Sequence, residues 1–512
     1  MYHLLLNTPF GFAFELQNEG CYFSGSSYQL YLNGEFYGTY KENVISLYGL
    51  QPDKLYQVKL SGDNKEYKFE IKTQPLKYLI HIKDYNATGD GETDDTSAIN
   101  TAIYTAPKGA VVYIPKGNYS VNQIYLKSGV DIYLEKGSCI KQNTRRDELS
   151  ILKGYQKDYH HADAAVNASW EGNPLDTYCS VFYGKDVENI RIFGEGIIDG
   201  SGKEGSWWVN PKQKNIAFRP NNIFLNKCSD IVVAGITSRN SACWNIHPFY
   251  CDRVKFYGLQ VQSSADSPNT DGINPESCDE VEIAGCLFDV GDDCVAVKSG
   301  KYFMSQYERR PCCNIMIRNC YMGSGHGGLA VGSEISSGVD GVSLIKCHME
   351  GTDRGVRIKT RRGRGKFSIV RNVTIENVVM NGVHHCIGIN MFYNCDPDGS
   401  SDYVKSKTIM KKDDQTPSIR NIFVSNIRAT DVKGCCIFLY GLPESRIEDV
   451  AVVDSSIHFA DERILESPEL LDDFTPIPNL GFFIKNTKRV HISNNKIVGE
   501  HVKVVDEEEN NE

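Results

Sequence analysis

Four segments share one frame: Thr270-Asp271-Gly272-Ile273-Asn274-Pro275-Glu276-Ser277, Asp292-Asp293-Cys294-Val295-Ala296-Val297-Lys298-Ser299, His326-Gly327-Gly328-Leu329-Ala330-Val331-Gly332-Ser333 and Asp353-Arg354-Gly355-Val356-Arg357-Ile358-Lys359-Thr360. Side chains on a strand alternate between two faces. The second residue after the Asp271 place runs Ile246, Ile273, Val295, Leu329, Val356, Ile387, Ile437, and the fourth runs Pro248, Pro275, Val297, Val331, Ile358, Ile389, Leu439. Two apolar rows two residues apart mark strands with one face in a core. If each segment is one coil of a solenoid, equivalent residues stack about 4.8 Å apart. The odd places then face outward: His247, Asn274, Ala296, Ala330, Arg357 and Gly388 in one row, Glu276, Lys298, Gly332, Lys359 and Asn390 in the next. The place before Asp271, held by Asp292, His326 and His384 in other coils, looks to the same side. The frame thus gathers Asp271, Asp292, Asp293, His326, Lys298, Arg357 and Lys359 on one patch.

The same beat extends outward along the chain. Short strands recur as Asn189-Ile190-Arg191-Ile192, Asp230-Ile231-Val232-Val233, Arg253-Val254-Lys255-Phe256, Glu280-Val281-Glu282-Ile283, Asn314-Ile315-Met316-Ile317, Asn372-Val373-Thr374-Ile375, Asn421-Ile422-Phe423-Val424 and Arg489-Val490-His491-Ile492. Such a repeat predicts an all-β chain, a right-handed parallel β-helix, over residues 77–512. Interruptions at 143–178, 201–220, 301–311 and 394–418 are expected as loops on it. Thr93-Asp94-Asp95-Thr96 leads into the amphipathic Ser97-Ala98-Ile99-Asn100-Thr101-Ala102-Ile103, a helix expected to cap the first coil. The acidic tail Asp506 to Glu512 is expected to be disordered.

Residues 1–76 read differently. Apolar and polar residues alternate in Tyr28-Gln29-Leu30-Tyr31-Leu32 ahead of Asn33-Gly34, a hairpin turn, and again in Tyr56-Gln57-Val58-Lys59-Leu60 and Tyr67-Lys68-Phe69-Glu70-Ile71. A small β-sandwich is expected. The run Leu47 to Tyr56 resembles the turn and tyrosine of fibronectin type III domains. A spacer is the ordinary role of such a module, with carbohydrate binding the alternative.

The formal charge of −10, from 65 acids against 55 bases, argues against a general nucleic-acid binder. Attraction for an acidic ligand must therefore be local. No apolar run is long enough to span a membrane, and Met1 to Asn7 lacks the pattern of a signal peptide. Cys228, Cys251, Cys278 and the Cys312-Cys313 pair recur at coil starts among 17 cysteines, which suggests a ladder of small buried residues. Cysteine spacing shows no metal site. Reduced thiols and a cytoplasmic protein are expected.

Stacked carboxylates resist joint ionisation, so one pKa should rise. A raised carboxyl can act as acid while a neighbour acts as base, the pairing that glycoside hydrolysis needs. Arg357 and Lys359 beside the acids suit a sugar that carries a carboxylate. Each element alone has a plainer reading: Asp-Asp after glycine as a turn, and the run Arg357 to Lys366 as a solvated basic edge. Their convergence in one frame favours chemistry.

Asn269-Thr270-Asp271, Gly291-Asp292-Asp293, Gly325-His326-Gly327 and Arg357-Ile358-Lys359, in this order, resemble the four signature motifs of glycoside hydrolase family 28, the polygalacturonases, over roughly residues 78–500. The resemblance implies hydrolysis of α-1,4-galacturonosyl linkages with inversion, without metal or cofactor. It implies Asp292 as general acid, Asp271 and Asp293 as the groups that position and deprotonate water, and His326 as their support. Arg357 and Lys359 would bind a galacturonate carboxylate, with Asn269 inside the first motif and Tyr393 in the place of a substrate tyrosine. His247 and Lys298 are further substrate contacts suggested by the frame. The run Ser267 to Cys278, and a fibronectin-like domain ahead of the helix, resemble bacterial exo-acting members, so exo attack on oligogalacturonate or polygalacturonate is expected. The alternatives are endo attack, a xylogalacturonan or rhamnogalacturonan substrate, a calcium-dependent pectate lyase, and a non-catalytic sugar-binding β-helix.

Overall fold

The structure, a computed structural model, describes residues 1–62, 65–157 and 164–505. The tail at 506–512 and part of the 143–178 interruption lie outside the described residues. From Tyr78 onward the chain winds as a right-handed parallel β-helix. Two of its sheets hold thirteen strands each among the described residues. The third runs as a four-stranded and a seven-stranded sheet, joined by single bridges at Ile246↔Ile273 and Ile273↔Val295.

The register of that third sheet is the one that the apolar rows imply. Val295 pairs with Leu329, Leu329 with Val356, Val356 with Ile387 and Ile387 with Ile437. All of them are buried in one continuous core. Withdrawing each such side chain from water contributes about 1.5–3 kcal/mol, and neighbouring coils share the gain. A second regularity sits at the recurring strand starts. Asn189, Asp230, Arg253, Glu280, Asn314, Asn372 and Asn421 all take positive φ, between 52° and 58°. Asparagine and aspartate tolerate that left-handed conformation best, which explains their frequency there. Each of these residues is skipped in the pairing, as between Glu188↔Ser229 and Ile190↔Ile231.

The cysteines fill the core as expected. All seventeen are unbridged, and backbone N–H groups of Cys228 and Cys251 point at the Sγ atoms of Cys251 and Cys278. Helix α1 (Thr96–Thr105) buries Ile99, Ala102 and Ile103 over the open first coils. No helix among the described residues is long and apolar enough to cross a membrane.

Strands β1 (Tyr2–Thr8), β2 (Gly11–Leu16), β3 (Phe23–Leu32), β4 (Glu35–Glu42), β5 (Val44–Tyr48), β6 (Leu55–Ser61) and β7 (Glu66–Lys72) form a small sandwich. One sheet has the order β1-β2-β5, the other β4-β3-β6-β7, and both feed one apolar core. The Tyr56 hydroxyl accepts a hydrogen bond from Gln51 N at 2.9 Å, clamping the turn into β6. The sandwich lies against the first thirteen-stranded sheet. Glu15 pairs with Arg318 at 2.9 Å, Arg191 donates to the Asn7 carbonyl at 3.0 Å, and Tyr48 packs beside Phe193. The residues of the four-motif patch stand instead on the third sheet, with Arg357 and Lys359 in a strand, and in the turns that lead into it.

The basic run after Lys359 departs from the expected solvated edge. Arg361, Arg362 and Arg364 are buried. Arg362 makes a two-pronged bond to Glu444 at 2.5 and 2.9 Å and also donates to the carbonyl of Ser406. Arg361 and Arg364 both reach Asp396. The run is a set of anchors for the 394–418 loop, because buried cations need partners and these acids supply them.

Candidate active site

Turns that precede the third sheet stack through backbone bonds such as Gly272 N to Asp293 O at 3.0 Å and Cys294 N to Gly327 O at 2.8 Å. This stacking brings one carboxylate oxygen each of Asp271, Asp292 and Asp293 within 4.8 Å of one another. Inverting glycosidases ordinarily hold their two carboxyls about 6.5–9.5 Å apart. The shorter spacing here follows from the pitch of stacked coils.

The three acids do not share one environment. Asp271 is buried, and the loss of solvation together with the charge of Asp292 raises its pKa well above the ordinary value. Burial also opposes ionisation of Asp293, but Lys359 at 2.8 Å and Arg357 at 3.5 Å outweigh it and hold that carboxyl well below the usual range. Asp292 is half-buried, with Oδ1 at 3.3 Å from His326 Nδ1. That contact raises the His326 pKa, and the ring stands half-exposed at the edge of the site. Gly327 makes the cluster possible: a Cβ there would meet Asp293 Oδ1 at 2.8 Å and Arg357 Cδ at 2.9 Å.

Around the acids lies a polar cavity of about 300 Å³, at the small end for a ligand site. Its lining includes Asn269, Trp244, Lys298, Lys301, Lys359 and Tyr393. Lys298 Nζ reaches Glu334 at 3.1 Å and Asp271 at 3.7 Å, and lies 4.5 Å over the Trp244 ring. Burial alone would lower its pKa, yet Glu334 and Asp271 raise it further, so this lysine stays charged. Lys301 pairs with Asp396 at 2.6 Å, and Lys212 with Glu171. Tyr393 stands 5.4 Å from Lys359 and 5.7 Å from Arg357. Asn269 takes positive φ and accepts from Arg219 at 2.7 Å. Arg219 is in turn held by the carbonyls of Ala242 and Pro268 and by the Trp170 ring.

Two residues expected at the substrate, His247 and Arg357, stand behind the cavity lining, as His326 stands beside it. His247 faces outward in its row, but loops cover that face. The ring is fully buried among Phe224, Trp244 and Phe249, bonded to Glu276 at 2.8 Å, and outside the cavity lining. Arg357 is 4% exposed, donates to Glu469 Oε2 at 2.7 Å and does not line the cavity either. An outward row on an isolated coil becomes interior once connections fold over it.

The sequence reading missed Glu171, Lys212, Lys301, Glu334, Asp396 and Glu469: Glu334 pairs with the expected Lys298 and Glu469 with Arg357, while Asp396 pairs with Lys301 and Glu171 with Lys212. Most sit in aperiodic connections, where spacing carries no register. The stretch 460–479 is the clearest signal that was available: about twenty residues without strand alternation are uncommon inside a repeat unless they have a task. Gly172 shows how the 143–178 connection closes one side. Its carbonyl accepts from Lys301 N at 2.8 Å, and a Cβ on it would meet Glu334 Cγ at 2.7 Å.

Comparison with known proteins places this geometry in a lineage. The family model described as Glycosyl hydrolases family 28 matches residues 107–465. A probable polygalacturonase of Vitis vinifera is 28% identical over 387 residues, 74% of this chain and 74% of that protein. A polygalacturonase of Gossypium barbadense is 26% identical over 426 residues, 80% of this chain and 92% of its own length. Among solved structures, a family 28 exopolygalacturonase of Yersinia enterocolitica superposes with a TM-score of 0.70 at 18% identity, covering 99% of each chain. A hyperthermoactive exopolygalacturonase of Thermotoga maritima gives 0.63 at 23% identity, covering 83% of this chain and 93% of the other. These two similarities are of fold.

Proposed function

The chain belongs to glycosyl hydrolases family 28, a polygalacturonase family of pectin hydrolases, and we propose that it removes galacturonate from the end of an α-1,4-linked chain. The observation that carries this reading is the carboxylate cluster. Two of its members, Asp271 and Asp293, are displaced in opposite directions beside a cavity lined by the buried Lys298 and Lys359.

Asp293, kept ionised, takes a proton from the attacking water. The proton held by the Asp271–Asp292 pair goes to the leaving oxygen, with Asp292 as donor because it is the less buried of the two. Asp271 positions the water. The water oxygen bonds to the anomeric carbon on the face opposite the breaking C–O bond, so the product anomer is inverted. Regeneration returns one proton from Asp293 to the pair through solvent. His326, 3.3 Å from Asp292 and with its pKa raised by that carboxylate, supports Asp292. Lys298, Lys301 and Lys359 supply positive charge for the sugar carboxylate, and Tyr393 and Asn269 shape its seat.

Exo action is supported by the small size of the cavity, about 300 Å³, whose lining includes Glu171, Lys212, Asn394 and Leu470 from the long connections. Similarity in fold to exopolygalacturonases agrees with this. We also read the sandwich as fibronectin type III-like, on its strand order and the Tyr56 clamp. The unbridged cysteines fit a reducing compartment.

The test is a time course on trigalacturonate and polygalacturonate in EDTA, with products separated by anion exchange and the new anomer identified by NMR. Saturated monogalacturonate from the first minutes, born in the inverted form, supports the reading. A ladder of oligomers would replace exo by endo attack. An unsaturated, ultraviolet-absorbing product would replace hydrolysis by elimination.

A further inference from the structure

A second cavity, of about 710 Å³, lies beside the catalytic one and holds none of the reacting groups. It is built by the connections at 143–178 and 201–220, with Arg146, Trp207, Lys214 and Arg219 in its lining. The segment 210–214 is a wall common to both cavities. Lys212 lines the catalytic one, while Asn210, Pro211, Gln213 and Lys214 line the second. Arg219 joins them again, since it lines the second cavity and donates to Asn269 of the first.

The two cavities differ in how their cations are held. In the catalytic cavity Lys298, Lys301 and Lys359 each have a carboxylate at 3.1 Å or less. The second is lined by three cations and no acid. Arg219 is 5% exposed, yet its partners are all neutral: the carbonyls of Ala242 and Pro268, the Asn269 side-chain oxygen and the Trp170 ring. Its Nε is buried without an acceptor. Arg146 likewise donates to the carbonyls of Gly205 and Ser206, with the Trp207 ring 4.1 Å away. Lys214 is exposed and makes no ion pair among the described residues. Asp176 feels its charge, but that carboxylate is bonded to Lys153 at 3.0 Å. Neutral acceptors orient a guanidinium without cancelling its charge, and a cation kept from water and left uncompensated favours an anion beside it. The volume falls in the range of ligand sites, and the apolar surface of Val209, Pro211 and Ala217 suits the ring of a sugar. We propose that this cavity is a second, non-catalytic seat for a carboxylate-bearing sugar, a hexuronate. The choice of a uronate as the anion rests on the hydrolase reading above. Two sources share that chemistry: a more distant residue of the chain being cleaved, and free galacturonate released by cleavage.

The test measures binding of galacturonate, and of its uncharged methyl ester, to the full chain by calorimetry. Wild type is expected to take up two galacturonates. Lys214→Glu and Arg146→Gln should each weaken one of the two sites by about tenfold and leave the other unchanged, a factor in keeping with the loss of a charge-assisted hydrogen bond. A wild type that binds a single galacturonate overturns the proposal, and so do two sites that both variants leave untouched. Binding of the ester at the affected site as tightly as the acid overturns it too. Arg146 also braces the 201–220 connection, so Lys214→Glu, at an exposed position, decides the matter if Arg146→Gln does not fold. Values of kcat/KM on di- to hexagalacturonate then identify the source. If the seat holds a distant residue of the same chain, Lys214→Glu loses about tenfold on the longer oligomers, carried by KM, and nothing on digalacturonate. If it holds free product, the variant matches wild type at every length and departs from it only when galacturonate is added. A wild type that hydrolyses nothing sinks the proposed function, while the binding measurement still decides the seat.

Discussion

Replacing Asp271 by Asn separates the stability of this protein from its activity, and in a pH-dependent way. Asp271 is 3% exposed and has two carboxylates within 4.8 Å against one lysine at 3.7 Å. Its folded pKa therefore stands well above the ordinary 3.8. A raised folded pKa means that the unfolded chain releases this proton first. The stability linked to Asp271 is fully present below the unfolded pKa and is lost as pH rises through the folded one. Each unit between the two costs about 1.4 kcal/mol above the folded pKa. Asn keeps the size of the protonated carboxyl and cannot ionise, and Lys298 retains Glu334. Thermal scans at a fixed rate at pH 4, 6 and 8 should show the variant level with wild type at pH 4 and increasingly above it toward pH 8. The expected size is a few degrees, since about 1 kcal/mol shifts Tm by about 2–4 °C in domains of 150–250 residues and by less in a longer chain. Turnover should fall by about 10²-fold, the order of loss that misplacing a reacting group brings, because Asp271 positions the attacking water. A variant less stable than wild type at pH 8, or a gap that does not grow with pH, would refute the electrostatic reasoning.

Asp293→Asn should behave oppositely, since Lys359 and Arg357 lower its folded pKa. Removing this charge leaves buried cations under-paired, so the variant should lose about 3–5 kcal/mol at neutral pH, with a deficit that narrows toward acid pH, read by denaturant unfolding. Gly327→Ala should keep the fold but displace Asp293 or Arg357, and we expect a tenfold or greater loss of kcat with little change in KM, from steady-state kinetics. His326→Gln removes an imidazole whose pKa is raised by the Asp292 carboxylate, so the part of the alkaline limb of the kcat/KM profile that follows this titration should vanish. An unchanged alkaline limb would take His326 out of the mechanism.

The legible part of this protein was whatever repeats. Rows such as Ile273, Val295, Leu329 and Val356 carry the register in their own periodicity, because a strand that slips by one residue turns its apolar set to water. Once the register is known, the convergence of Asp271, Asp292, Asp293 and Lys359 follows from geometry alone. Residues 1–76 were legible for the same reason, through alternation and the Asn33-Gly34 turn. The cysteine ladder was too, since small buried residues recur with the coil.

What the tertiary structure alone decided is which outward-facing residues are covered and which counter-charges they meet. His247 and Arg357 occupy equivalent rows on the strands, yet one is sealed under Trp244 and paired with Glu276, and the other is held by Glu469 from a connection 112 positions further along the chain. The buried basic run 361–364 was likewise indistinguishable from a solvated edge until its acids arrived from Asp396 and Glu444. Strand periodicity encodes a residue's face, because face depends on local backbone geometry. Cover and counter-charge depend on where aperiodic connections come to rest, and that is fixed only when the whole chain has folded around them.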